Sequence, residues 1–138
     1  MALSADRLMT VQGPVEVFKG KLTASNTYYK GALVQFDATT GLLKEAADVA
    51  TEFAIGWLKE GKVVPAASNP TVEVCTGKVW IPFGSAAQGD VGDYVYATDD
   101  GTIAKSATNS GPLGLCIDFK TGYLLVDTRR GLPKTAMA

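Results

Sequence analysis

The stretch TVEVCTGKVWIPF, residues 71–83, determines the fold class of this chain. Val72 and Val74 fall on one face of an extended segment, and Gly77 leads into a second run rich in β-branched and aromatic residues. Pro82 cannot donate to a sheet ladder, so it predicts an edge position or the end of a strand. The stretch therefore predicts two short strands joined at the glycine.

Similar runs of Val, Ile, Tyr and Phe occur on both sides of this stretch, separated by many of the 15 glycines and 6 prolines. Residues 42–52 lack a sustained apolar stripe and predict a loop or short helical turn, and residues 85–90 predict a single turn. Short strands at this spacing predict a mainly β domain, a small barrel or sandwich. The predicted strands are residues 15–18, 32–36, 53–58, 71–76, 78–83, 93–97, 113–117 and 123–127.

Two segments, residues 29–58 and 90–117, repeat the same order of features. In each, a glycine-led strand runs into an acidic or polar turn and, after a variable stretch, into an apolar-Gly-apolar strand. The number of residues that separates corresponding glycines decreases slightly along the two segments. A duplicated β unit with small loop deletions would produce this change, so we interpret the segments as an internal duplication. The corresponding glycines are Gly31 and Gly92, Gly41 and Gly101, and Gly56 and Gly114.

Length and charge limit the classes of function. The 138 residues predict one β domain, residues 15–130, between an extended N-terminal arm, residues 1–14, and a flexible C-terminal tail, residues 131–138. With 13 basic and 14 acidic side chains, the chain lacks the positive excess that nucleic-acid binding requires. No apolar run approaches the roughly 20 residues of a membrane span. We therefore expect neither nucleic acid nor membrane as a partner.

This sequence lacks the residues and motifs of the common catalytic sites. Histidine is absent, which excludes the Ser-His-Asp triad, the Cys-His dyad and imidazole metal sites. Asp37, Asp99 and Asp100 occur in turn sequences, where an aspartate caps backbone amides. No phosphate-binding glycine loop or nucleophile elbow occurs. We expect no enzyme, no cofactor and no metal site; an enzyme of unrecognised type using Asp and Lys is a weaker alternative.

Two cysteines, Cys75 and Cys116, are too few for a disulfide framework. Residues 1–7 contain no apolar h-region, so we expect no secretory signal and assembly in a reducing cytoplasm. Both cysteines are therefore predicted to be free, buried thiols.

The aromatic side chains suggest two roles. Trp57 and Trp80 are predicted to be core or interface anchors. Tyr94 and Tyr96 share one face of a predicted strand, where core packing or a protein interface is expected. In an alternative hypothesis, these four side chains are the stacking platforms of a glycan-binding β module from a phage fibre or a bacterial surface protein.

Several stretches of this sequence, taken in order, resemble the capsid cement, or head-decoration, proteins of tailed bacteriophages. The resemblance runs from the first residues to about residue 130, and the order and combined length of the stretches carry it. They are MALSADR (residues 1–7), TYYKGALVQFDA (27–38), AIGW (54–57), GDVGDYVY (89–96) and PLG (112–114).

Membership of that family would imply a compact β domain, often called a β-tulip, with an extended N-terminal arm. Such proteins sit on the outer surface of the expanded capsid, commonly as trimers, and fasten neighbouring capsomers without catalysis or a cofactor. The implied partners are the major capsid protein and further copies of this chain in a homotrimer. The implied location is the outer capsid surface of the virion, after synthesis in the host cytoplasm.

Under this hypothesis the arm, up to about residue 17, and one end of the barrel contact the major capsid protein. A loose segment can fold on binding, or add a strand to an exposed sheet edge. The apolar anchors that we expect are Leu3, Leu8, Met9 and Val11, with Arg7 as a polar anchor.

Overall fold

A computed structural model describes residues 2–129 of the chain. These residues form strands with one short 3-10 turn, Gln88–Asp90, and no α-helix. The predicted mainly β, barrel-like fold class is therefore confirmed. The predicted turn within residues 85–90 is also present. The predicted tail, residues 131–138, lies outside the described residues. The strands are β1 (Thr10–Lys21), β2 (Asn26–Tyr28), β3 (Leu33–Phe36), β4 (Leu43–Glu45), β5 (Ala54–Leu58), β6 (Lys62–Val64), β7 (Thr71–Pro82), β8 (Tyr94–Ala97), β9 (Ile103–Ala104), β10 (Gly114–Lys120) and β11 (Tyr123–Asp127).

Strand β7 organises the main sheet. Cys75 pairs with Val17 of β1 on one edge of β7 and with Trp57 of β5 on the other. Further along β7, Val79 pairs with Val11 of β1 and with a residue of β11. Strands β5 and β11 therefore lie end to end along one edge of β7, and β1 occupies the opposite edge.

The prediction of two strands joined at Gly77 was wrong, because β7 continues through the glycine. Both backbone groups of Gly77 remain hydrogen-bonded: its N–H donates to Thr128 Oγ1 over 2.8 Å, and its carbonyl accepts from the Thr128 N–H over 3.0 Å. Thr128 thus fills the space between the ends of β5 and β11, and the strand passes through without a break. As predicted, β7 ends at Pro82.

The main sheet curls into a half-barrel with the strand order β4-β3-β5-β7-β11-β10-β8-β9, and β2 pairs with β6 in a separate ribbon. Apolar side chains are buried on both faces of β3 and β5. Leu33 and Trp57 pack into a first core. Val34 and Leu58 pack on the opposite face, into a second core that also contains side chains of the ribbon.

The two segments singled out as a repeat share one pairing scheme; we name residues 29–58 unit 1 and residues 90–117 unit 2. In unit 1, β3 pairs with β4 and β5, and in unit 2, β8 pairs with β9 and β10. Val34 lies opposite Gly56, and Val95 lies opposite Gly114. The common pairing supports the interpretation as an internal duplication.

An acidic side chain joins the two units. Residues 42–52, predicted to be a loop or helical turn, contain strand β4 followed by a loop. In that loop Asp48 accepts hydrogen bonds from the backbone N–H groups of Thr108, Asn109 and Ser110, at 3.1, 2.8 and 2.7 Å. These hydrogen bonds hold the pKa of Asp48 below its ordinary value. Unit 1 thereby fixes the segment that leads into β10.

This arrangement predicts an acid-sensitive junction. Since the folded-state pKa of Asp48 is lowered from 3.8, its stabilising effect is complete well above that value and is lost as the pH falls through the lower folded value. Asp48→Asn is therefore expected to lower the urea midpoint at pH 7 and to flatten the fall of stability below about pH 4. Urea titrations at a series of pH values measure both effects, with the exposed Glu16→Gln as control. An unchanged pH profile in Asp48→Asn would contradict this role.

Candidate interaction surface

The N-terminal segment, residues 2–9, is docked on the domain. The Arg7 N–H donates to the Lys30 carbonyl over 3.0 Å, and the Lys30 N–H donates to Asp6 Oδ1 over 2.9 Å. The Leu3 N–H donates to Asp100 Oδ1 over 2.8 Å. The segment therefore contacts both units, which differs from the expectation of a loose arm.

The predicted arm boundary at residue 14 falls inside β1, which begins at Thr10. Residues 10–14 show no alternation of apolar and polar side chains, and all of them are exposed. Backbone pairing with β7 holds this part of β1, so side-chain patterning could not indicate it. At Gly13, whose φ is +86°, the pairing register shifts between Val11 and Val15.

Arg7 bridges the two units. Its Nε donates to the Gly31 carbonyl over 3.2 Å, and its Nη1 donates to the Gly101 carbonyl over 3.0 Å. Burial lowers the pKa of Arg7, and attraction to Asp100 and then Asp99 opposes that effect. Arg7 was predicted to be a polar anchor for a partner, but its guanidinium is engaged within its own domain.

The structure divides the five predicted arm anchors into two groups. Leu3 packs against the second core and Met9 against the first, so these two side chains and Arg7 serve the domain itself. Leu8 is 81% exposed and Val11 42% exposed, so both are available for contact. Residues 15–18, which were predicted to be a strand, lie within β1. In this part of β1, Val17 is exposed as well.

We name Leu8, Val11 and Val17 the β1 edge surface. Among the described strands, β7 is the only one that pairs with β1, so the other edge of this twelve-residue strand is unpaired. An unpaired edge with exposed apolar side chains is a template for pairing with another chain. The surface can therefore bind an extended protein segment through backbone hydrogen bonds and apolar contact.

The four predicted core or interface aromatics do not lie on a common surface. Trp57 is buried in the first core, and Trp80 is half-buried on β7 with Lys120 Nζ 4.6 Å from its ring centroid. Tyr94 is exposed and Tyr96 is half-buried, with both side chains on one face of β8. A glycan platform that includes Trp57 is incompatible with its burial.

Two buried thiols and the buried carboxylate of Glu52 lie in the interior of the described part of the chain. Cys75 and Cys116 are free and buried, as predicted, and burial raises the pKa of each thiol. Buried Glu52 accepts hydrogen bonds from Gln35 Nε2 at 2.7 Å and from the Ala38 N–H at 2.9 Å, with Lys44 Nζ at 2.8 Å. Burial raises the pKa of Glu52, but these contacts outweigh it and lower the pKa.

Among residues 2–129, no group of three or more His, Cys, Asp or Glu side chains could hold a metal ion. No helix in this part of the chain is long and apolar enough to cross a membrane. No family model, no curated protein and no solved structure matches this chain.

Proposed function

We propose that this chain is a structural protein of a bacteriophage virion that binds the outer surface of the capsid and fastens neighbouring major capsid protein subunits. Two lines support the proposal: the resemblance to capsid cement proteins, and the β1 edge surface. The observation that carries it is Leu8, an apolar side chain that remains 81% exposed where the docked segment meets an unpaired strand edge. Catalysis and cofactors have no part in this role.

Binding would proceed by addition of a strand. An extended segment of the major capsid protein pairs with the free backbone groups of β1 and covers the β1 edge surface. Burying a large apolar side chain contributes roughly 1.5–3 kcal/mol, so a few such contacts give modest affinity. In a homotrimer, three copies of this contact act together and raise the avidity without new chemistry.

The docked segment changes which residues make the contact. Leu3, Arg7 and Met9 hold residues 2–9 on their own domain, so the segment need not leave it to reach the capsid. Leu8 and Val11 project from this fixed segment. A fixed surface loses less conformational entropy on binding than a loose arm does.

The double variant Leu8→Asp/Val11→Asp is expected to lose capsid binding by about 100-fold, because two charges would be buried at the contact without partners. Both side chains are exposed in the free protein, so the variant should fold normally. Co-sedimentation with expanded capsids that lack the protein measures the occupancy, and light scattering gives the mass of the free protein.

The control is Val63→Asp, in the separate ribbon, where the side chain is 74% exposed. It should load onto capsids as the unmodified protein does. Full loading of the double variant would refute contact through the β1 edge surface, and failure of the unmodified protein to load would refute the capsid role.

A further inference from the structure

Unit 2 contains an open counterpart of the place where unit 1 holds residues 7–9. Gly31 and Gly92 both have positive φ, +80° and +95°. The Gly31 N–H donates to the Leu58 carbonyl over 3.0 Å, and the Gly92 N–H donates to the Cys116 carbonyl over 2.8 Å. The return hydrogen bonds, each 2.9 Å long, run from the N–H groups of Leu58 and Cys116 to the carbonyls of Ala32 and Asp93.

The two places differ in what covers them. A Cβ added to Gly31 would lie 2.7 Å from the Arg7 carbonyl oxygen and 3.1 Å from Met9 Cγ, so the docked segment lies directly on this glycine. A Cβ added to Gly92 would have no atom of the described chain within 4 Å. The backbone of unit 2 thus forms the same hydrogen-bonded glycine turn that residues 7–9 cover in unit 1, and the space above Gly92 is open.

The side chains next to each glycine show the same difference. In unit 1, Leu33 and Trp57 lie opposite each other and are buried. At the corresponding positions of unit 2, Tyr94 lies opposite Leu115; Tyr94 is 41% exposed and Leu115 is partly exposed. In unit 1 this pair belongs to the first core, against which Met9 of the docked segment packs, whereas in unit 2 the pair is at least partly exposed.

The surroundings of Gly92 are acidic. Asp90, Asp93 and Asp118 all act electrostatically on the Cys116 thiol, whose backbone carbonyl binds Gly92. Lys105 Nζ lies 2.6 Å from Asp90 Oδ1 and 3.6 Å from Asp93 Oδ2. Two carboxylates thus lie within 4 Å of one ammonium, and the remaining negative charge is complementary to a guanidinium.

We propose that Gly92, Tyr94 and Leu115 form a binding site for an extended, arginine-bearing segment of a partner protein. The segment would lie across Gly92 as residues 7–9 lie across Gly31, with its arginine toward Asp93 and an apolar side chain on Tyr94. The arm of a second copy is a poorer occupant, because hydrogen bonds of Leu3, Asp6 and Arg7 hold it on its own domain. The site is separate from the β1 edge surface.

The test uses the full chain and a fluorescent peptide of residues 2–12, ALSADRLMTVQ, as the probe. Residues 7–9 of the protein itself already cover the glycine turn of unit 1. Saturable one-to-one binding of the peptide in fluorescence anisotropy therefore reports a second binding site. Tyr94→Ala and Asp93→Arg are each expected to weaken binding about tenfold. A peptide with Arg7→Glu should not bind.

Tyr123→Ala is the matched control, since Tyr123 is as exposed as Tyr94 but lies on β11. It should bind the peptide as the unmodified protein does. Absence of binding at millimolar peptide, or equal binding by Tyr94→Ala and Tyr123→Ala, would overturn the proposal. The measurement uses no capsids, so its outcome is independent of the proposed capsid role.

Discussion

Replacing Arg7 with alanine is expected to lower the free energy of unfolding by about 2 kcal/mol, the typical value for hydrogen bonds made by a charged group. The substitution leaves the carbonyls of Gly31 and Gly101 without their side-chain donor. It also removes the positive charge near Asp100, which is 1% exposed and has one carboxylate oxygen without a hydrogen bond. Urea unfolding followed by circular dichroism measures the change.

Arg7→Lys tests the geometry of this contact. A single ammonium restores the charge but cannot reproduce the planar fork that reaches both carbonyls, so an intermediate loss is expected. Lys19→Ala, on the exposed part of β1, is the control for loss of a cation and should change little. If Arg7→Ala and Lys19→Ala unfolded at the same urea concentration, Arg7 would have no part in joining the units.

Gly56→Ala is expected to destabilise the fold by about 3 kcal/mol, at the upper end for overpacking. An added Cβ would lie 2.1 Å from the Cys75 carbonyl oxygen, and that oxygen belongs to the backbone of β7. The contact can be relieved only by moving β5 away from β7, which disturbs the pairing of Trp57 with Cys75. Thermal and urea unfolding both report the loss.

Gly84→Ala is the matched control, since nothing lies within 4 Å of a Cβ added there and no positive φ is required. It is expected to be neutral or slightly stabilising, because alanine restricts the unfolded chain. Gly114→Ala should behave like Gly56→Ala, since its added Cβ would lie 2.5 Å from the Asp127 carbonyl oxygen. Equal stability of Gly56→Ala and Gly84→Ala would show that β5 and β7 approach less closely than described.

Local patterns in the sequence predicted the longer strands and the repeat but missed the short strands β2, β4, β6 and β9. Alternation and β-branched residues indicated the strands around residues 71–83, and punctuation by glycine indicated the two units. Gly56 and Gly114 could be matched from sequence alone because each is required by the same close approach of two strands. Such signals depend on neighbouring residues and can therefore be read without a structure.

The candidate surface could be predicted only in part, since it depends on distant contacts. The apolar residues of the arm were recognisable, but their division into partly buried Met9 and exposed Leu8 depends on the path of the chain past Gly31. Arg7 donates hydrogen bonds to backbone carbonyls that lie 24 and 94 positions further along the chain. No local pattern indicates such partners, so the sequence suggested a free anchor where the structure has an internal one.

The position of β7 between early and late strands has a consequence for synthesis on the ribosome. Thr10 pairs with Trp80 and Lys21 with Thr71, so β1 has its partner only after 50 to 70 further residues have been made. The outer edge of β5 also has its partner only when β7 has been made, and β11 is added last. High contact order of this kind is typical of domains that fold in milliseconds to seconds rather than microseconds. Native structure is therefore expected to form in one cooperative step near the end of translation.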